Sequence, residues 1–353
     1  MSLLLCSGVL AQDFVLTTPG TATWETVATA DGSQTIFTIS DDSVFDWGQM
    51  NLAGNDELVF NFVGGDTVTN YLNGAGTHLI AGDITANGNL GFFAPNGNLI
   101  ITGSITAESV TLATLGVDAG LFAGGAGFTL SGASGGDVLV FGSLEATARD
   151  VTVAGQNVRI FSGASLDAPN GRVMVGGGSD IEILGAGERR LSQNSLAGTV
   201  FNEGSLRAPK IEVSAGAEVL NNGVIGEGNA QVFFGVGESG RISNESQGFI
   251  ANDSIFDGLF NEVSAVIRPH IDGDAPGVVG DASLGIPALK RPDGSAVSDR
   301  RRITYSAPMS ASADSMRDRK KEKIQTARNE RKPVLASRSS FFGGVRGGTR
   351  TNR

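Results

Sequence analysis

A short apolar motif returns along the chain at multiples of about twenty residues. Its apolar member is followed two positions later by Ala, with Glu227 the single exception. The apolar members are Ile84, Ile105, Leu144, Leu166, Leu206 and Ile225, at intervals of 21, 39, 22, 40 and 19 residues. We interpret these intervals as one, two, one, two and one units of a repeat.

A second alternating segment follows each of the last five motifs after a polar or glycine-containing corner. These segments are residues 110–114, 151–155, 172–176, 211–215 and 231–235. Short alternating strands in a constant unit predict a stacked β-solenoid, because a β-sandwich has no reason to repeat at constant register. We therefore predict an all-β parallel solenoid with about 20 residues per rung and about eight to ten rungs.

The composition agrees with this prediction. Glycine accounts for 51 of 353 residues, which argues against a helical protein, and 40% hydrophobic residues suffice for a core. Beyond the amino terminus, no stretch approaches the roughly 18 uncharged apolar residues that a membrane helix needs. The single cysteine, Cys6, excludes an internal disulfide framework and a cysteine-based metal site.

Charge is divided between the two parts of the chain. Residues 1–285 contain nine Lys and Arg against 31 Asp and Glu, whereas residues 286–353 contain 17 against six. This asymmetry predicts a folded acidic body followed by a disordered basic tail over 286–353. The tail could contact an anionic polymer, and we expect no nucleic-acid function. Residues 250–285, with Pro269 and Pro276, are predicted to close the end of the solenoid.

The amino terminus has features of an export signal. An apolar stretch runs from Leu3 to Leu10, and small residues follow it. We predict a signal peptide over residues 1–11 with cleavage after Ala11, although a positively charged start is missing. The alternative is a short buried strand.

Part of the sequence resembles the haemagglutination-activity, or two-partner-secretion, domain of filamentous haemagglutinin-like exoproteins. The resemblance is carried by residues 44–62, 68–74 and 78–115. Trp47 takes an aromatic position of that pattern, Asn70 its first asparagine, and 94–97 (Ala-Pro-Asn-Gly) its Asn-Pro-Asn-Gly turn, with Ala94 replacing the first Asn. The resemblance covers residues 12–180, and we assign 181–285 to further rungs and the end cap. It implies a right-handed parallel β-helix whose capped amino end is recognised by a partner outer-membrane transporter.

The candidate recognition residues are therefore Asn70, Pro95, Asn96 and Gly97. Physically, Pro95 fixes φ and Gly97 permits a positive φ, so we predict a tight turn between strands 90–93 and 98–102. The alternative is that this motif only turns the chain.

Parallel β-helices also include polysaccharide-degrading enzymes, which work with clustered carboxylates, Ca²⁺ and a Lys or Arg base. His78 and His270 lie far apart without metal-ligand spacing, and His78 is interpreted as a corner residue. Asp180 and Glu182 share one face of a predicted strand, which we interpret as a solvated outer face. The segments 124–128 and 176–180 only partly match a calcium-binding repeat. We expect no cofactor, no metal site and no catalysis.

The leading hypothesis is an exported, noncatalytic β-helical protein, secreted or held at the cell surface, that acts in adhesion to host or matrix glycan or protein. The alternative is an extracellular β-helix enzyme acting on polysaccharide. A third hypothesis is an assembly protein whose tail binds acidic partners.

Overall fold

The computed structural model describes residues 14–132, 135–237, 240–244, 248–251, 253–257 and 263–264. The predicted signal peptide, His270 and the basic tail over 286–353 lie outside the described residues. The predicted closing segment over 250–285 is described only in part. Residues 250–251 are described with their side chains, and residues 253–257 and 263–264 by their backbone alone.

The described residues form 32 strands and one short helix. The first part contains β1 Phe14–Leu16, β2 Ala22–Ala28, β3 Ser33–Ile39, β4 Ser43–Trp47, β5 Asn51–Leu52, β6 Glu57–Phe62, β7 Thr67–Leu72, β8 Gly76–Ile80, β9 Asp83–Ala86, β10 Asn89–Phe93, β11 Gly97–Ile101, β12 Ser104–Ala107, β13 Ser109–Ala113, α1 Ala119–Gly124, β14 Gly127–Ser131, β15 Asp137–Val140 and β16 Ser143–Ala146. The second part contains β17 Val151–Gly155, β18 Asn157–Ile160, β19 Ser165–Asp167, β20 Arg172–Gly177, β21 Asp180–Leu184, β22 Leu191–Gln193, β23 Thr199–Asn202, β24 Ser205–Arg207, β25 Lys210–Ala215, β26 Glu218–Asn221, β27 Val224–Ile225, β28 Gln231–Val236, β29 Arg241–Asn244, β30 Phe249–Ile250, β31 Asp253–Asp257 and β32 Val263–Ser264.

Three long sheets form the sides of a parallel β-helix of about nine coils. Sheet A has the order β1-β4-β7-β10-β13-β17-β20-β25-β28-β31, and sheet B has the order β2-β3-β6-β9-β12-β16-β19-β24-β27-β30. Sheet C has the order β32-β29-β26-β23-β18-β15-β11-β8-β5. Every neighbouring pair in these sheets is parallel except β1 with β4 and β2 with β3. The predicted fold class is confirmed.

The repeated apolar residues form one column through sheet B. Each pairs in register with the next, and the column continues to Ile250; its members are Ile84, Ile105, Leu144, Leu166, Leu206, Ile225 and Ile250. All seven side chains are fully buried. Burying one such side chain contributes about 1.5–3 kcal/mol, so the column accounts for much of the cohesion between coils.

The interpretation of the 39- and 40-residue intervals as two units is wrong. Ile105 pairs directly with Leu144, and Leu166 pairs directly with Leu206, so each interval is a single coil. The additional residues form two insertions between consecutive strands of the solenoid, over 114–136 and 178–198. An insertion at a corner leaves the register of the flanking strands unchanged, and the free-energy cost of a longer loop rises only slowly.

The two insertions meet in a small antiparallel sheet outside the solenoid. Strand β14 of the first insertion pairs with β21 of the second, and β21 pairs with β22, giving sheet D. A second hydrophobic core lies between this sheet, α1 and the outer face of sheet A: Phe93, Ala113, Leu115, Phe122, Leu130, Ala154, Met174, Ile181, Ile183 and Leu191. Strands β10 and β17 are therefore buried on both faces.

A buried carboxylate holds the second insertion against sheet A. Glu212 accepts from Arg172 Nη1 at 2.6 Å through Oε1, and its Oε2 accepts from the backbone N–H groups of Arg190 and Leu191 at 2.7 and 2.8 Å. Arg172 also donates to the carbonyls of Gly187 and Glu188. The loop before β22 is thus fixed by charge-assisted hydrogen bonds.

Three buried asparagines continue a column in sheet C that is apolar in the earlier coils. Ile160 pairs with Asn202, which is followed by Asn221 and Asn244. Asn202 Nδ2 donates to Asn221 Oδ1 at 2.8 Å, and Asn221 Nδ2 donates to Asn244 Oδ1 at 2.6 Å. The amides also bond to backbone at the corners, for example Asn221 Nδ2 to the carbonyl of Gly223 at 3.2 Å.

The amino-terminal coil is covered by an antiparallel cap formed by β1 and β2. The Phe14 ring lies over the end of the core, with ring centroids 4.6 Å from Trp47, 5.4 Å from Phe37 and 5.6 Å from Phe45. Aromatic edge-to-face contacts contribute about 0.5–1.5 kcal/mol each beyond the burial of area. This cap agrees with the capped amino end that the family resemblance implied.

Among the described residues, no helix is long and apolar enough to cross a membrane.

Replacing Asn221 by Ala should lower the free energy of unfolding by about 3 kcal/mol, because several buried groups of neighbouring coils then lose their hydrogen-bond partners. Chemical denaturation measures this change. The neighbouring Asn222 is only half-buried, and Asn222→Ala should cost less than about 0.5 kcal/mol. Equal effects of the two substitutions would contradict a stabilising role of the ladder.

Glu212→Ala should destabilise the protein by about 3–5 kcal/mol, because Arg172, whose side chain is only 14% exposed, then loses its counter-ion. In this variant, the backbone amides of residues 185–191 should exchange hydrogen faster than in the unsubstituted chain. This increase should be larger there than in the solenoid strands. The pair of exposed Arg241 and half-buried Glu218, at the surface of the solenoid, provides a control: Glu218→Ala should cost less than about 1 kcal/mol. Unchanged exchange over 185–191 in Glu212→Ala would show that the clamp does not hold this loop.

Candidate functional site

The predicted turn at 94–97 lies at the corner between sheets A and C, in the third coil from the cap. It joins β10 to β11, and Gly97 N–H donates to the carbonyl of Ala94 at 3.2 Å, as in a β-turn. Pro95 is half-buried and Asn96 is exposed at the tip. The strands on either side are 89–93 and 97–101, within a residue of the predicted bounds.

The conformational reason given for Gly97 is wrong. Gly97 is not among the glycines with positive φ; it is the first residue of β11 and is buried. A Cβ at this position would lie 2.3 Å from the carbonyl oxygen of Gly76 in the preceding coil. Glycine is therefore needed because two coils approach closely at this corner, and not because of the left-handed conformation.

Asn96 belongs to a row of polar side chains on the outside of the corner. Its Nδ2 donates to the carbonyl of Asn73 at 3.4 Å, and Asn73 Nδ2 donates to Asp46 Oδ1 at 2.7 Å. All three residues lie at the surface and follow one another over three coils, close to the cap. They present amide and carboxylate groups that a partner protein can reach.

Asn70 lies inside the solenoid and is fully buried. Its Oδ1 accepts from Trp47 Nε1 at 3.0 Å, and its Nδ2 donates to the carbonyl of Gly91 at 3.1 Å. One amide thus links the first, second and third coils. Asn70 can affect recognition only through the fold, because no partner can contact its side chain.

His78 is a buried residue of β8 beneath the same corner, not the corner residue that the sequence indicated. Its Nδ1 accepts from Met50 N–H at 3.1 Å, and its Nε2 lies 3.0 Å from the carbonyl of Gly74. This arrangement requires a neutral ring with the proton on Nε2. Burial lowers the pKa of His78 below its ordinary value of 6.5, and the hydrogen bond to Gly74 offsets part of the shift.

The same tetrapeptide occurs a second time, at 168–171, which the sequence analysis missed. It forms the same turn, with Gly171 N–H donating to the carbonyl of Ala168 at 3.1 Å and Asn170 Nδ2 donating to Thr147 at 2.9 Å. This copy joins β19 to β20 at the corner between sheets B and A. The tetrapeptide by itself therefore turns the chain, and the first copy differs from the second in its corner and in its place near the cap.

Asp180 and Glu182 lie in β21, in the small sheet outside the solenoid, and both are half-buried. Their strand pairs with β14, opposite Ser131 and Thr129. In the part of the chain that the structure describes, no group of three or more His, Cys, Asp or Glu side chains is placed to hold a metal ion. The glycine-rich segments 124–128 and 176–180 belong to the ends of α1 and β20 and the starts of β14 and β21.

No protein-family model matches this sequence, and a search of curated proteins finds no match. Among solved structures, the chain is similar to the HMW1 secretion domain from Haemophilus influenzae, with a TM-score of 0.52 and 17% identity. The similarity covers 78% of this chain and 79% of that domain. At this identity, the likeness supports the β-helical fold.

The burial of His78 predicts a pH-dependent stability. Because its folded pKa lies below 6.5, the unfolded chain binds a proton that the native ring excludes. The contribution is complete above pH 6.5 and is lost as pH falls towards the folded pKa. Urea denaturation between pH 7.5 and 5 should show this decrease. The slope should be smaller in His78→Gln; a slope that His78→Gln leaves unchanged would assign it to other groups.

Proposed function

We propose that this chain is the export domain of a two-partner-secretion exoprotein, recognised by a partner transporter of the outer membrane and delivered to the cell surface or the medium. The observation that carries the proposal is the parallel β-helix, because the chain is similar to a secretion domain over 78% of its length. The amino end of this β-helix is covered by an antiparallel aromatic cap. The sequence resemblance over residues 44–115 supports the same family.

Within this proposal, the transporter recognises the polar corner formed by Asp46, Asn73 and Asn96. The corner lies in the first three coils, next to the cap; Asn73 and Asn96 are exposed and Asp46 is half-buried. Buried Asn70 and close-packed Gly97 hold the corner in shape from within. Recognition would depend on the folded arrangement of several coils rather than on the tetrapeptide alone.

After export, the solenoid acts without catalysis, as a rigid surface for adhesion. On the outer face of sheet C, Asp137 Oδ1 accepts from Asn157 Nδ2 at 2.8 Å, and Asn157 Oδ1 accepts from Thr199 Oγ1 at 3.0 Å. Such rows repeat at the strand spacing of about 4.8 Å. Many weak contacts to a repetitive glycan or protein of a host or matrix could add up on such a surface.

The double substitution Pro95→Ala and Asn96→Ala should reduce the amount of protein released into the medium or exposed on intact cells at least tenfold. The reason is that it removes the exposed tip of the corner while Gly97 and the strands remain. Immunoblotting of cell and medium fractions measures release, and circular dichroism checks the β content. The double substitution Pro169→Ala and Asn170→Ala alters the same turn at the other corner and is the matched control.

Normal release of the 95/96 variant would limit that turn to architecture. An equal loss of release in both variants would show that folding, and not recognition at the corner, limits export.

A further inference from the structure

The outer edge of β2 has no strand beside it in the part of the chain that the structure describes. Strand β2 is seven residues long and, within the described residues, pairs only with β3. At its two ends, Ser40 N–H donates to the carbonyl of Thr21 and Thr29 N–H donates to the carbonyl of Gly32. Because an antiparallel strand bonds to its neighbour at every second residue, the N–H and C=O groups of the even-numbered residues point outwards.

These outward-pointing groups belong to Ala22, Trp24, Thr26 and Ala28. They are arranged as the hydrogen-bonding template that a further strand would use. Natural proteins cover or distort an edge of this length, for example with prolines or several charged residues. Strand β2 contains neither Pro nor Lys, and Glu25 is its single charged residue.

Exposed apolar side chains lie along this edge. Trp24 contacts Phe14 with a centroid distance of 4.9 Å, yet 47% of its surface is exposed, whereas Trp47 is fully buried. Val27, on the opposite face of the strand, is 49% exposed. A strand added beside β2 would cover the open side of the Trp24 ring with its own side chains.

The charge around the edge determines which strand can pair there. Residues 14–132 contain 11 Asp and Glu and no Lys or Arg. Glu25 projects from the same face as Val27. An opposite charge directly across from Glu25 would stabilise the pair, and a like charge would destabilise it. A second copy of this chain would bring acidic surface against acidic surface, which disfavours pairing through β2.

We propose that the outer edge of β2 binds an extended, positively charged segment of a partner protein by strand addition. The segment alternates apolar residues, which cover Trp24, with Lys or Arg residues, which face Glu25. Its backbone bonds to the groups at Trp24 and Thr26. This surface differs from the polar corner around Asn96, and the proposal is independent of the export route.

The test uses the full chain and a capped heptapeptide of alternating Val and Lys, compared with the corresponding Val and Glu peptide. The two tryptophans are Trp24 and buried Trp47, so a change in emission reports on Trp24. The Val-Lys peptide should give a saturable blue shift, and the Val-Glu peptide should bind at least tenfold more weakly. Hydrogen exchange of the Trp24 and Thr26 amides should slow when the Val-Lys peptide binds.

Two substitutions of Thr26 distinguish hydrogen bonding by the strand edge from a contribution of the Thr26 side chain. Thr26→Pro removes an outward-pointing N–H, which an edge strand tolerates, and should weaken binding of the Val-Lys peptide at least tenfold. Thr26→Val removes the same hydroxyl, which lies 3.0 Å from Thr35 Oγ1, but keeps the N–H. It should bind the peptide like the unsubstituted chain. Thermal unfolding confirms that both variants are folded.

Several results would overturn the proposal. These are absence of binding, equal binding of the acidic peptide, or unchanged binding by Thr26→Pro. Protection of the Trp24 and Thr26 amides in the free chain would show that the edge is already occupied, either by another segment of the same chain or by a second copy. Sedimentation velocity distinguishes these two, because only a second copy doubles the mass.

Discussion

The structure depends on in-register stacking of equivalent residues in successive coils. Each coil places one Ile or Leu of sheet B directly against that of the next coil, from Ile84 to Ile250. No single coil can bury this residue, so each is stable only between its neighbours. The same constraint acts on polar residues, since Asn221 hydrogen-bonds inside the core to Asn202 and Asn244, which occupy the same place in adjacent coils.

Stacking of this kind makes the ends and corners of the solenoid the places where function can differ. The first coil would expose its core without the aromatic cap, and the cap in turn leaves β2 as an edge. Corners accept additional residues without disturbing the strands, which explains how two insertions build a second core on sheet A. Recognition sites can therefore be added at the cap and corners, while the interior remains close-packed.

The sequence predicted the elements that the stacking constraint controls. The repeated apolar residues and the alternating segments after them are the paired strands of sheets B and A. The sequence could not show that Leu144 follows Ile105 directly, because a 39-residue interval fits two coils as well as one coil with an insertion. The sequence contained a partial signal of the layer that covers sheet A. Phe93 and Met174 are apolar residues on its outer face, and a strand with apolar residues on both faces needs an overlying layer. The role of Gly97 depends on its distance from Gly76 in the preceding coil. The burial of His78 depends on its contacts with Met50 and Gly74. A local sequence pattern contains neither the distance nor these contacts.

The proposed export of this β-helix as a two-partner-secretion domain is tested by the location of the protein in the native host. Intact cells would be treated with protease, and peptides from the cells and the medium would be identified by mass spectrometry. Export predicts solenoid peptides released from intact cells or present in the medium, with the first peptide beginning near Gln12. Intact protein confined to the cytoplasm, with Met1 retained, would contradict export and the function proposed for the cap and corner.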